Sequence, residues 1–295
     1  MGLLWCVPLL GVPQEGQPVS QHEIPFTLTG HNNIAVDMVL NKVDTLTLMF
    51  HTAADAISII DTVANTLKSI HWNNLNEVES WGGKENARSS TGNSVQIENM
   101  EWDRLTIWDC KHSGPRTEGK FGLHLFQGKT VEIDYDRKRI VLRDSLPPNM
   151  ENYRQFELTH NNGLMFIQGI SIIGEHSFPN RYLLHSGYAG TLLYDDAFVA
   201  ANQLGSRLQV VDEKALKDSY GNVIHVKKAT LPIFTLGNVV LKDVPVGFFE
   251  GAIGKQRMSV MGGDVLKRFN IVMDSQRKYV YLKPNSLMPL PYSLK

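Results

Sequence analysis

Apolar and polar positions alternate with a period of two along most of this chain. The runs "VDTLTLMF" (43–50), "TVEIDYD" (130–136), "RIVLRDS" (139–145), "VIHVKKATLPIF" (223–234) and "YVYLKPN" (279–285) either alternate or carry β-branched and aromatic residues. Successive side chains of a strand point to opposite faces, so this pattern predicts strands with one face buried. Helical spacing is confined to two short stretches, "DTVANTL" from Asp61 and "DDAFVAANQLG" from Asp195, with Gly205 as the C-cap of the second. The chain reads as mostly β.

Two of the strands stop in the same way. "LMFHTAAD" (48–55) and "YLLHSGYAG" (182–190) each run through three apolar residues into a histidine, then a hydroxyl residue, then small residues. His51 and His185 are 134 positions apart, and each is followed ten residues later by an Asp, Asp61 or Asp195, that opens a helical stretch. Further on, "GNSVQIENM" from Gly92 matches "GNVVLKDV" from Gly237, each read as a turn entering an alternating strand. "FGLHLF" (121–126) matches "MGGDVL" (261–266), and Asp134 to Leu142 matches Asp274 to Leu282 through the pattern D-x-x-R-K-x-[IV]-x-L. Four stations recurring in one order predict two equivalent lobes. The break falls at Pro147-Pro148-Asn149, a turn-forming sequence. It divides the chain into a leader at 1–21, an N-terminal lobe at 22–148 and a C-terminal lobe at 149–295.

From about Glu23 to about Pro284, the sequence resembles the pepsin-like and retropepsin-like aspartic peptidases, and more closely the two-lobed, single-chain aspartyl-protease-like proteins of bacteria. In that family each lobe offers a strand ending in Asp-Thr/Ser-Gly, and later an apolar-apolar-Gly segment often followed by x-Asp-x-Leu. Val260-Met261-Gly262-Gly263-Asp264-Val265-Leu266 keeps the later segment well, and Phe121-Gly122-Leu123-His124-Leu125 keeps it loosely. The resemblance implies an all-β, two-lobed acid-protease fold with a cleft between the lobes. The departure is at its centre. Where the family has the two catalytic acids, this chain has His51-Thr52-Ala53 and His185-Ser186-Gly187.

The aspartic mechanism requires two close carboxyls that share a proton, one acting as base on water and the other as acid on the scissile carbonyl. Two imidazoles reverse the sign, because their charged form is a cation and proximity with burial disfavours it. A neutral imidazole is still a competent base, but the larger rings and diverging nitrogens displace a bridging water. The resemblance also implies that Thr52 and Ser186 bond across to the opposite loop and lock the lobes. Gly187 keeps the small residue of the motif, whereas the Ala53 methyl crowds the pair.

The first functional expectation is thus a catalytically inactive homologue that binds an extended peptide or protein segment in the cleft. A working hydrolase using a His51/His185 dyad, with or without a metal, stays open as the alternative, as does a structural envelope protein with a closed cleft. Asp55, Trp81, Gly122, Tyr188, Tyr220 and Gly262 are the candidates for lining the cleft. Trp81-Gly82-Gly83 and Ser219-Tyr220-Gly221-Asn222 fall in the interval where, in one lobe, the family carries its substrate-covering flap, although an ordinary hairpin turn fits them equally.

Blander readings compete at each point. A single histidine at a strand end is ordinarily bonded to a backbone group. With 10 histidines in 295 residues, a chance histidine at the matching station has odds of about one in thirty. No metal is expected, since zinc needs a third and usually a fourth ligand and only Asp55 and His124 are candidates by motif position. "GLHLFQGKT" imitates a phosphate-binding loop, but five residues separate Gly122 and Gly128 and a strand follows rather than a helix. The Arg137-Lys138 and Arg277-Lys278 pairs read as solvated turn positions.

Composition narrows the rest. A net charge of −1 and a pI near 6.8 argue against a nucleic-acid partner. Two cysteines, Cys6 and Cys110, give no disulfide framework and no metal cage. No cofactor is expected, and a monomer is the simplest state. "GLLWCVPLLGVP" (2–13) reads either as part of an export signal or as an apolar arm that packs on the body, and is too short to span a bilayer as a helix. The placement adopted is a soluble protein exported to the periplasm or cell envelope.

Overall fold

The computed structural model describes residues 21–80, 83–217, 223–249 and 256–293. The apolar leader and the flap candidates Trp81 and Tyr220 lie outside the described residues. The fold is all-β and two-lobed, with a few short helices.

Two eight-stranded sheets repeat one order. The first runs Thr27–Leu28, Ile34–Leu40, Asp44–Phe50, Gly119–Phe121, Ile57–Ile60, Met100–Cys110, Gly83–Ile97, Asn74–Ser80. The second runs Thr159–Asn161, Leu164–Ile173, His176–His185, Ser259–Gly262, Leu192–Leu193, Val239–Phe248, Val223–Leu236, Val210–Lys217. Each sheet also curls back on itself, through Val39↔Gln96 in the first and Ile170↔Thr235 in the second. Closure of this kind pairs edges that would otherwise be free to recruit another strand.

A six-stranded sheet joins the lobes, with three strands from each half of the chain. Its seam is Thr130–Asp134 against Phe269–Met273, antiparallel, with Ile133 opposite Ile271. Val131, Ile133, Ile140, Ile271, Val280 and Leu282 face inward from it into one continuous core. Arg277 is a correction to the sequence reading. It is not solvated but reaches across the seam, donating to the carbonyls of Lys129 (2.7 Å) and Phe126 (3.0 Å). Burial lowers its guanidinium to about 10.

The apolar triplet before each histidine has a local cause. Leu48 to Phe50 lies parallel to Gly119–Phe121, and Tyr182 to His185 lies parallel to Ser259–Gly262. Strands at such parallel crossings are covered on both faces, so alternation gives way to a continuous apolar run. Leu48, Phe50 and Tyr182 are fully buried.

Other sequence expectations shift. Gly92 and Asn93 do not form the hairpin turn. They lie inside the long strand Gly83–Ile97, at register shifts between Ser90 and Val95, and Gly92 takes a φ of +78°. An extra residue in a strand produces just such a bulge. The hairpin turn is at Glu98-Asn99, the counterpart of Gly237-Asn238. The second helical stretch breaks into Asp196–Ala201 and Leu204–Arg207, so Gly205 lies inside a helix and Asn202 is the C-cap. The first helix is a single turn, Asp61–Ala64.

A buried charge cluster fastens the end of the chain. Asp264 is fully buried, with Lys267 Nζ at 2.7 Å and Arg268 Nη2 at 3.6 Å. Arg268 donates to the carbonyls of Met288 and Leu290 and stacks 4.0 Å from the Tyr292 ring centroid. Ser293 N–H donates to Asp264 at 2.7 Å. Removing Asp264 takes away the carboxylate that both buried cations contact. Asp264→Ala is therefore expected to lower unfolding stability by about 3–5 kcal/mol in urea titration; a loss below about 1 kcal/mol would show that the cations do not depend on it.

Candidate functional site

The two histidine loops meet at the lobe seam. Each loop follows a strand whose direction is fixed by the parallel crossing, and each is tied to the other by hydroxyls. Thr52 N–H donates to Ser186 Oγ at 3.0 Å, and Ser186 Oγ–H donates to the Phe50 carbonyl at 2.8 Å. Reciprocally, Ser186 N–H donates to Thr52 Oγ1 at 3.0 Å, and Thr52 Oγ1–H donates to the Leu184 carbonyl at 2.6 Å. All four bonds are buried and cross between the lobes. Two asparagines add to them: Asn33 Nδ2 donates to the Ser186 carbonyl at 3.0 Å, and Asn32 Nδ2 donates to the Ala189 carbonyl at 2.8 Å.

This arrangement brings the imidazoles of His51 and His185 together, with ring centroids 4.4 Å apart and planes tilted by 58°. His51 is buried and His185 half-buried. Ala53 N–H donates to His51 Nδ1 at 3.1 Å, and Tyr188 N–H donates to His185 Nδ1 at 2.9 Å. A ring nitrogen that accepts a hydrogen bond carries its lone pair there, so each neutral ring bears its proton on Nε2. Burial pushes the His51 imidazole well below its usual range, helped by His185 and the Lys120 ammonium. Burial lowers His185 to about 4; its own backbone carbonyl offsets part of this and Lys120 adds to it. Both rings are neutral near pH 7.

Most of the remaining candidates among the described residues sit around the two loops. Gly187 gives His51 its room, since a Cβ there would stand 2.2 Å from His51 Cδ2. Ala53, the matching residue of the other loop, packs its methyl against the apolar cluster of Phe166, Leu183, Leu193, Phe249 and Val260. Tyr188 joins the same cluster, and burial pushes its phenol up to about 12. Gly122 and Gly262 are buried, where Cβ atoms would meet the carbonyls of Ala54 and Gly190 at 1.7 and 2.2 Å. They allow two chain segments to touch. Asp55 is exposed and acts electrostatically on His124, whose imidazole is nonetheless pushed down by burial.

Sequence reasoning missed Lys120, Asn32 and Asn33. The asparagines stand in "GHNNIAVD", where a turn signal conceals residues that are 3% and 0% exposed.

No family model matches the sequence, and no curated protein matches it. Among solved structures, an aspartic proteinase from Irpex lacteus superposes with a TM-score of 0.62 at 12% identity, covering 92% of this chain and 100% of that one. That likeness establishes a pepsin-like fold.

Two measurements follow from this geometry. Ser186→Ala removes the acceptor of Thr52 N–H and the donor to Phe50, and Thr52→Val does the equivalent; each is expected to cost about 1–3 kcal/mol per stranded buried group in urea unfolding. The second concerns pH. Both folded-state values lie below the ordinary 6.5. Between pH 6.5 and about 4 the unfolded chain therefore binds protons that the folded chain refuses. Stability is complete above pH 6.5 and falls as the pH drops through that window. His51→Asn retains an acceptor for Ala53 N–H and is expected to flatten the slope; an unchanged slope would show that His51 does not titrate on unfolding.

Proposed function

We propose that this chain is an aspartic-peptidase homologue in which His51 and His185 occupy the two catalytic-acid positions, and that it binds an extended peptide between lobes 22–148 and 149–295 without cutting it. The observation that carries this reading is the pair of Nδ1 atoms, each already accepting a loop N–H. A general base needs a free lone pair directed at water. In these rings the one lone pair is occupied, and Nε2–H only donates. Protonating Nδ1 would set N–H against N–H, so the pair is also a poor acid. The retained crossing of Thr52 and Ser186 supports a scaffold kept in its assembled geometry.

The alternative hydrolase, with or without a metal, meets the same obstacle. A metal needs the lone pair of Nε2, which requires moving the ring proton to the occupied Nδ1. Among the described residues, no group of three histidine, cysteine or acidic side chains is placed to complete such a site.

Incubation with a mixed peptide library between pH 4 and 8, with and without chelator, is expected to give no cleavage by the wild-type chain. The His51→Asp, His185→Asp double variant is expected to gain cleavage at acid pH, where two carboxyls share a proton. Wild-type turnover that disappears in His51→Asn would overturn the proposal.

A further inference from the structure

The His51/His185 pair presents only donors. Neither Nε2 atom has a hydrogen-bond partner among the described residues, and neither is sealed from solvent. Both Nδ1 atoms are spent on loop N–H groups. Two Nε2–H groups are therefore left without an acceptor among the described residues, on rings whose centroids lie 4.4 Å apart. Lys120 adds positive potential at both rings. Asp55, the acid nearest in the sequence of the loop, is exposed and acts on His124 instead.

A ligand group that completes this arrangement must accept twice, and the positive potential at both rings favours one that carries negative charge. Water accepts but has to donate elsewhere, and a peptide carbonyl is neutral. A carboxylate has two acceptor oxygens, and charge-assisted bonds to it are about twice as strong as neutral ones. We propose that the paired Nε2–H donors of His51 and His185 form a receptor for a carboxylate, borne either by the C-terminus of a peptide or by an Asp or Glu side chain within one. This rests on the peptide-binding reading above, and it turns a seat for two acids into a seat for the acid of the ligand.

Four short peptides test it at neutral pH by calorimetry: acetyl-trialanine as free acid and as amide, and acetyl-Ala-Glu-Ala-amide and its Gln counterpart. The free acid or the Glu peptide is expected to bind at least about tenfold more tightly than its neutral partner. The pair that shows the difference identifies the chain end or the side chain as the source. The preference is expected to vanish in His51→Asn, which keeps the Ala53 bond and loses Nε2–H. Histidine nitrogen NMR of the wild-type chain supplies the second readout: both rings should show the Nε2–H form, and titration with acetate should shift both Nε2 signals. Equal binding of acids and neutral partners, with unmoved Nε2 signals, overturns the carboxylate receptor while peptide binding stands. Acetate shifts without binding of any peptide support the receptor and overturn the peptide reading. Rings protonated at Nδ1 would overturn the receptor outright.

Discussion

Four backbone groups at the lobe seam, Thr52 N–H, Ser186 N–H and the carbonyls of Phe50 and Leu184, find their partners in hydroxyls contributed from the opposite lobe. Buried backbone polar groups are costly to leave unpaired. Separating the lobes would strand several of them at once, so the loops are held in a fixed mutual position. Everything at the site inherits that position. The strands behind the loops are rigid because they lie in parallel crossings covered on both faces. The imidazole separation is thus set by backbone satisfaction rather than by any attraction between the rings, which repel when charged.

The same loop geometry decides the chemistry of the pair. An N–H directed at a carboxylate oxygen stabilises negative charge and favours an ionised acid. Directed at an imidazole nitrogen, it favours the neutral ring and opposes the imidazolium. Burial and Lys120 push in the same direction. Histidine at the end of these strands therefore leaves two rings whose Nδ1 atoms are occupied and whose Nε2–H groups can only donate.

The segment from Leu287 to Ser293 is secured by charge. Lys267 touches Asn32 Oδ1 at 2.7 Å, and Asn32 in turn reaches the Ala189 carbonyl, so the Asp264 cluster is continuous with the His185 loop of the second lobe. Arg268 holds the carbonyls of the terminal segment in the same cluster. A buried cluster of this kind adds little net stability compared with an apolar core. Its effect here is geometric, since it fixes where the final segment passes relative to the loops.

Much of the fold was legible in the chain itself. Alternation disclosed the strands, and the recurring stations around His51 and His185, Gly122 and Gly262, and Asp134 and Asp274 disclosed the duplication, because equivalent strands and turns demand similar local patterns. Where a local signal had two outcomes, the sequence misled. Gly92-Asn93 reads like Gly237-Asn238, yet one makes a bulge and the other a turn, since only strand pairing determines whether an extra residue is absorbed or reverses the chain. Arg277 looks like any turn arginine until the neighbouring lobe supplies carbonyls for it. The sequence by itself determined that two histidines end two equivalent strands. Only the tertiary structure decided that their rings meet and that Asn32 and Asn33 cross the seam, because those facts depend on contacts between residues more than 130 positions apart; the bonds to the two Nδ1 atoms are made within each loop, from N–H groups two and three residues along.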